Sequence, residues 1–310
     1  MMGLEGMRMR IMIWGSGALG LLWARRLHNL GADPVLITRT GRQRDRIREE
    51  GLIVTDDRGD VHRCSVPVFT PDDRLPRADW VWVMVKQTAL DQVREQLNRA
   101  CGPDSEVWLW QNGWHPQWPF TEGTWYWWNT VTTEGALRES ENRVRHTGVG
   151  STWVGSLLSP TGGPELKRLP GLDRWVFPDP HIRDRIWTKL AINCVINPLT
   201  AVWGVKNGQL LHCKEFPALA KGLLREAVEA ARLQEVCLSF DTLWEQVQAV
   251  CRRTALNRSS MLQDVESGKK TEVDFINGAI VRTGNKAGID FALNREMVER
   301  VRDVEGTKGK

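Results

Sequence analysis

At 310 residues, with 41% hydrophobic and 26% charged side chains, the chain has the make-up of an ordinary globular protein and the length for two cores. A formal net charge of +4 without a long Lys/Arg run argues against a nucleic-acid surface, and no apolar run approaches the length of a membrane span. Six scattered cysteines, with no CxxC pair and no histidines at metal spacing, argue against a disulfide scaffold and a metal site, and fit reduced thiols in a cytoplasmic protein.

Residues 1–8 lack the apolar core of a signal peptide and read as an extension, with Met7 and Met9 as alternative starts. Arg10 to Trp14 is a strand-like apolar run ending in Gly15-Ser16-Gly17-Ala18-Leu19-Gly20. Leu19 to Leu30 then has helical spacing, and Pro34 to Thr38 is a second strand. A GxGxxG between a strand and a helix is the context of a dinucleotide fingerprint. Gly15 permits the tight turn, Gly17 admits the pyrophosphate, Gly20 lets helix and strand pack, and the helix N-terminus receives the anion. After the second strand an NAD site carries a carboxylate, whereas this chain has Thr38-Arg39-Thr40 and no acid before Asp45. A guanidinium there suits a 2′-phosphate, hence NADP. The neighbouring Arg42, Arg44, Arg46 and Arg48 extend this into a basic cluster expected to meet a small anionic ligand.

Two short strands flank the turn Asp56-Asp57-Arg58-Gly59, and buried strands follow at Ala78 to Val85 and Glu106 to Trp110. These end at Lys86 and at Gln111-Asn112-Gly113, where ligands of a doubly wound sheet bind, although Asn-Gly is also a common turn pair. Trp125 to Val131 reads as a strand before Thr132-Thr133-Glu134-Gly135-Ala136, and Arg143 to Gly155 as a hairpin completing the sheet. Seven of the sixteen tryptophans fall between Trp108 and Trp128, against a single tyrosine in the whole chain; they read as stand-ins for Phe and Tyr. Strand signals stop at Pro178-Asp179-Pro180, which places a nucleotide-binding domain over 1–179 and a second domain over 180–310.

The second domain reads as helices near 182–203, 215–235, 241–254, 258–266, 272–288 and 294–304, with Asn207-Gly208 as a turn. The expected fold class is therefore α/β, a Rossmann-type domain followed by an all-helical domain, with the site in the cleft between them. The first helix sets Lys189, Asn193 and Asn197 into an apolar background at four-residue steps. Such steps drift by only about 40°, so the three form one stripe. Polar groups flanked by apolar ones call for a polar cleft or a ligand. Pro198 lacks the amide that would bond the Cys194 carbonyl, so the helix is expected to bend or end there, helping to set the far end of the pocket. Ser260 and Glu272 stand where helix starts are expected, and spacing alone makes them capping residues. A lysine in a partly desolvated cleft can protonate the alkoxide left by hydride delivery to a carbonyl, and asparagines can orient hydroxyl and carboxylate groups. The residues thus describe an NADPH-dependent reductase of a small oxo acid.

The blocks GSGALG at 15–20, VMVK ending at Lys86, QNG at 111–113, KLAINCVINPLTA at 189–201, NG at 207–208, SSMLQD at 259–264 and TEVDFING at 271–278 carry a fuller resemblance. From Met9 to about Val304 the chain resembles the ketopantoate reductase (2-dehydropantoate 2-reductase) family. The resemblance implies NADPH-dependent reduction of 2-dehydropantoate to (R)-pantoate in pantothenate and coenzyme A synthesis. It implies Lys189 as proton donor, with Glu272 close to the reacting centre. Asn193, Asn197, Asn207 and Ser260 would surround the substrate, and Asn112 would touch both ligands. Lys86, Ala136 and Glu272 would lie along the cofactor and Arg39 at its 2′-phosphate, which replaces capping as the role of Ser260 and Glu272. The sequence departs from the family pattern at Glu134-Gly135 and in the Trp-rich 108–128 segment. A small-molecule substrate, a monomer or homodimer, and no nucleic-acid or membrane partner complete the expectation. Two alternatives are a reductase of another branched 2-oxo acid and a non-catalytic NADP(H)-binding redox sensor.

Overall fold

The computed structural model describes residues 8–115, 125–159 and 163–308; Trp118 and all but the last residue of the expected N-terminal extension fall outside them. Through Gln111 and from Trp125 to Ile182 the chain builds one compact unit, while Asn112 to His115 and Arg183 onward build another. No helix among the described residues is long and apolar enough to cross a membrane.

The first unit runs β1 (Arg10–Trp14), α1 (Ala18–Asn29), β2 (Asp33–Ile37), α2 (Gly41–Glu50), β3 (Leu52–Thr55), β4 (Val61–Cys64), β5 (Val68–Phe69) and β6 (Ala78–Val83). It continues through α3 (Leu90–Gln96), β7 (Cys101–Leu109), β8 (Tyr126–Thr132), β9 (Gly135–Arg138), β10 (Arg143–Gly148), β11 (Thr152–Gly155) and β12 (Val176–Pro178). The main sheet has the order β12-β11-β8-β7-β6-β1-β2-β5. From β8 to β5 every pairing is parallel. Strands buried on both faces need continuous apolar runs, and Ile11, Met12 and Ile13 of β1 are accordingly fully buried. The chain places β2 on one side of β1 and β6 on the other. The order therefore reverses at β1, directly beside the glycine loop.

Two expectations are corrected here. Arg143 to Gly155 is not a hairpin: β10 pairs with β9 and β3 in a second sheet, β4-β3-β10-β9, whereas β11 pairs with β8 and β12 in the main one. Gly150 makes the change of sheet possible, since a Cβ there would sit 2.5 Å from the Thr133 carbonyl carbon. The second sheet covers α1, burying Val144 and His146 of β10 and leaving its arginines outside. The basic cluster is also not one anion site. Four of its members lie on α2, whose buried residues are Gln43 and Ile47, one turn apart. Arg42 pairs with Glu141, Arg44 with Asp45 and Asp73, and Arg46 with Glu50, while Arg48 donates to the Val68 carbonyl.

The tryptophans fill the first core. Trp23, Trp80, Trp82 and Trp108 are fully buried, with Trp23 edge-on to Trp82 and Trp110 at centroid distances of 5.3 Å. The second unit is helical: α4 (Ile182–Trp203), α5 (Phe216–Arg232), α6 (Phe240–Arg253), α7 (Ser260–Glu266), α8 (Asn277–Lys286) and α9 (Ala292–Lys308). Its core gathers α4, in which Trp187, Ala191, Cys194, Val195 and Leu199 are fully buried, with the apolar faces of the other helices. The helix does not end at Pro198. It runs through the proline to Trp203, and the chain turns at Gly204, whose φ is +65°.

Candidate active site

The glycine loop has the geometry its sequence calls for. Gly15, at φ +123°, could not carry a Cβ, which would lie 2.8 Å from the Met84 carbonyl carbon at the end of β6. Its amide donates to the Ile37 carbonyl at 3.2 Å, fastening the loop to the end of β2 as well. A Cβ on Gly20 would come within 1.9 Å of the Gly15 carbonyl oxygen, so α1 crosses the turn as closely as backbone permits. Gly17 differs: a Cβ there would meet no atom of the described residues within 4 Å. It is the N-cap of α1, which has no side-chain cap and no acid in its first turn. The amides of Ala18, Leu19 and Gly20 therefore lie at an open, uncapped helix start, which fits a pyrophosphate.

Ser16 is buried and does not face outward; its hydroxyl donates to Gln43 Oε1 at 2.7 Å. The Gln43 amide returns a bond to the Ser16 carbonyl at 3.0 Å and another to the Glu141 carbonyl at 2.8 Å. Gln43 thus holds the glycine loop from α2. Its position in the run GRQRDRIREE gave no signal beyond its four-residue spacing from Ile47. Arg39 follows β2 and is exposed. Among the described residues it pairs with no carboxylate, unlike Arg42, Arg44 and Arg46 of α2. Lys86 follows β6 and is partly buried at the start of a 3-10 turn, Gln87–Ala89. Ala136 lies on β9 opposite His146, packed against the first core. Beside it Glu134 is buried between Arg26, which it binds through both oxygens at 3.0 and 3.2 Å, and His146 at 2.6 Å. This ion pair gives the departure at Glu134-Gly135 a structural role.

In the second unit, Lys189 Nζ donates to Asn112 Oδ1 at 2.6 Å. Burial pushes the ammonium pKa down from 10.5 to about 8, and the charge of Glu272 opposes that shift. Glu272 is itself buried and opens the 3-10 turn Val273–Phe275. The same turn fixes Asn112. A Cβ on Gly113, at φ +82°, would fall 2.2 Å from the Phe275 carbonyl oxygen, and the Trp114 amide donates to that oxygen at 2.8 Å. His115 stacks on the Phe275 ring and Trp114 packs on Trp187 of α4. Asn112-Gly113 is therefore more than a turn dipeptide: it docks this loop beside Lys189.

One and two turns beyond Lys189, Asn193 and Asn197 make no side-chain hydrogen bond among the described residues, and Asn197 is almost fully buried. Asn207 is buried as well. Its amide nitrogen donates to the Thr254 hydroxyl at 2.8 Å while its Oδ1 has no partner among the described residues, an acceptor held ready at a cost. The cap of α7 is Ser259, which accepts from the Leu262 amide at 3.0 Å and lies 2.6 Å from the Thr200 hydroxyl. The capping role foreseen at Ser260 belongs to its neighbour, which leaves Ser260 exposed on the first turn.

A proton donor tuned toward neutrality, an acceptor orienting it, a carboxylate near it and uncommitted amides suit acid–base work on a small polar substrate.

Residues 11–159 match the family described as ketopantoate reductase PanE/ApbA, and residues 181–305 match its C-terminal domain. The 2-dehydropantoate 2-reductase of Archaeoglobus fulgidus is 34% identical over 304 residues, covering 96% of this chain and 98% of that protein. The 2-dehydropantoate 2-reductase of Bacillus subtilis is 34% identical over 297 residues, covering 91% and 93%. Among solved structures, a ternary complex of D-mandelate dehydrogenase with NADH and anilino(oxo)acetate superposes with a TM-score of 0.87 at 21% identity, covering 97% of this chain and 100% of that one.

Proposed function

Because the chain belongs to the ketopantoate reductase family of oxidoreductases, we propose that it reduces 2-dehydropantoate to (R)-pantoate with NADPH, a step toward pantothenate and coenzyme A. The observation that carries the reading is Lys189, an ammonium lowered to about 8 and hydrogen-bonded to Asn112. When bound, the reduced nicotinamide supplies the hydride. As the ketone carbon accepts it, the carbonyl oxygen becomes an alkoxide, and Lys189 Nζ gives it a proton to complete the hydroxyl. Asn112 holds one Nζ hydrogen and so orients the other two. Glu272 offsets part of the desolvation cost and keeps more of the lysine protonated near neutral pH.

Asn193, Asn197, Asn207 and Ser260 bind the hydroxyl and carboxylate groups of the substrate. The open helix start at Gly17 to Gly20 binds the pyrophosphate, Arg39 takes the 2′-phosphate, and Lys86 and Ala136 lie along the cofactor. Residues 1–179 then serve the nucleotide and 180–310 the substrate, with Asn112 reaching both ligands. The test is NADPH absorbance at 340 nm with 2-dehydropantoate, pyruvate and 2-oxoisovalerate offered in parallel. Turnover of 2-dehydropantoate no better than of the other two would sink the substrate assignment. Near-normal turnover by Lys189→Ala would sink the mechanism.

A further inference from the structure

Pro198 sits in the interior of α4, where it gives no amide to the Cys194 carbonyl one turn earlier. That carbonyl lies in the turn separating Asn193 from Asn197. Cys194 and Asn277 are both fully buried, and Asn277 Nδ2 donates to the Cys194 carbonyl oxygen at 2.8 Å. The assignment of nitrogen and oxygen in this side chain is forced by its surroundings. Its second hydrogen goes to Asn294 Oδ1 at 2.9 Å, and Asn294 is fixed in turn because its nitrogen donates to Glu226 Oε2 at 2.8 Å. Glu226, on α5, also accepts from the Leu293 and Asn294 amides at 2.9 and 2.8 Å, capping α9 from outside. The Asn277 oxygen is left buried without a partner among the described residues. The residue spends both donors on its neighbours and leaves its own acceptor unmet, an arrangement no apolar residue could replace.

We propose that Asn277 is a positioning residue for the substrate site, a side-chain substitute for the helix amide that Pro198 lacks. It closes the turn of α4 between Asn193 and Asn197 and ties it, through Asn294 and Glu226, to α8, α9 and α5. Without it, that turn is free to open, and the spacing of the two asparagines that meet the substrate is no longer set. Lys189 lies a turn earlier, where the helix has its regular amides, so proton donation is less exposed to the loss. The inference rests on the proposed roles of Asn193 and Asn197.

The experiment is a cycle of N277A, P198A and P198A/N277A in the full-length protein, read by steady-state kinetics with 2-dehydropantoate and by hydrogen exchange of the α4 amides. N277A is expected to raise the KM for the oxo acid by about tenfold with a smaller change in kcat, and to speed exchange around residues 195–200. P198A restores a backbone amide at the vacant place, so the double variant should return KM and exchange toward the parent, with P198A alone close to parent. A lowered melting temperature in N277A with an unchanged KM would overturn the proposal, because a purely structural brace would behave in that way. Failure of P198A to rescue would overturn it too. Should N277A not fold, the double variant decides: the proposal requires it to fold with a near-parent KM. If no oxo acid is turned over by the parent, the function has failed rather than the brace, which hydrogen exchange still reads independently.

Discussion

A lysine kept in a poorly solvated place should make the fold less stable than it could be, and the cost should vanish in a defined pH window. In the folded chain the Lys189 pKa falls from 10.5 to about 8 through burial. Between those values the unfolded chain binds the proton and the folded chain does not, so stability must rise with pH across the window. Below about pH 8 both states are protonated and the full penalty, about 3 kcal/mol, is present. Integrating the difference in bound protons from pH 7 to pH 9.5 gives a gain of about 2 kcal/mol for this residue. Replacing Lys189 by Met keeps the length and removes the charge. The assay is urea unfolding at both pH values, followed by circular dichroism at 222 nm. Every other titrating group is common to parent and variant. The parent should therefore gain about 2 kcal/mol more than Lys189→Met on going to pH 9.5. If the two pH dependences superimpose, Lys189 is not held at a lowered pKa, and the argument for its tuned acidity fails.

Four further outcomes follow from the site. Glu272→Gln removes the charge that raises the Lys189 pKa; the alkaline fall of kcat/KM for reduction should begin at a lower pH than in the parent, and an unmoved profile would remove Glu272 from the electrostatics. Arg39→Ala should raise the KM for NADPH by about 10- to 100-fold while leaving that for NADH near its parent value, and equal changes would mean that the guanidinium does not read the 2′-phosphate. Gly17→Ala adds a methyl into open space and should melt like the parent yet bind NADPH at least about tenfold more weakly by fluorescence titration. Gly20→Ala, driven against the Gly15 carbonyl, should instead cost about 1–3 kcal/mol of stability; a fully stable Gly20→Ala would refute the packing argument.

How much of this was readable from residues alone depends on how local each signal is. The stripe of Lys189, Asn193 and Asn197 was legible because three polar residues at one helical spacing stand out in an apolar run. The glycine loop was legible because strand, turn and helix meet there within thirty residues. By contrast, α2 was hidden: its ten residues are nearly all polar, and the two that are buried, Gln43 and Ile47, make no amphipathic pattern. The second sheet was also hidden, since Arg143-Val144-Arg145-His146 alternates equally well for either sheet, and only Gly150 allows the switch. Asn112 needed the fold, because its place depends on Gly113 lying against the Phe275 carbonyl, a contact between residues far apart in the chain. Asn277 was legible only as a residue of the TEVDFING block, inside the helix expected over 272–288. Its meaning comes from a carbonyl that a proline elsewhere leaves short of its usual donor.

The crowding of tryptophans also gives the first unit an optical identity. Indoles whose centroids lie 4.8 to 5.3 Å apart, among them Trp23, Trp80, Trp82, Trp108 and Trp110, are close enough for their transitions to couple. Such a stack should give a strong exciton couplet in circular dichroism near 225 nm and a near-ultraviolet band that disappears when the sheet's core loosens. Emission from the same rings overlaps the absorption of a reduced nicotinamide, so binding at the glycine loop should quench it by energy transfer. The residues that fill this core therefore also provide a label-free readout of its integrity and of its occupancy.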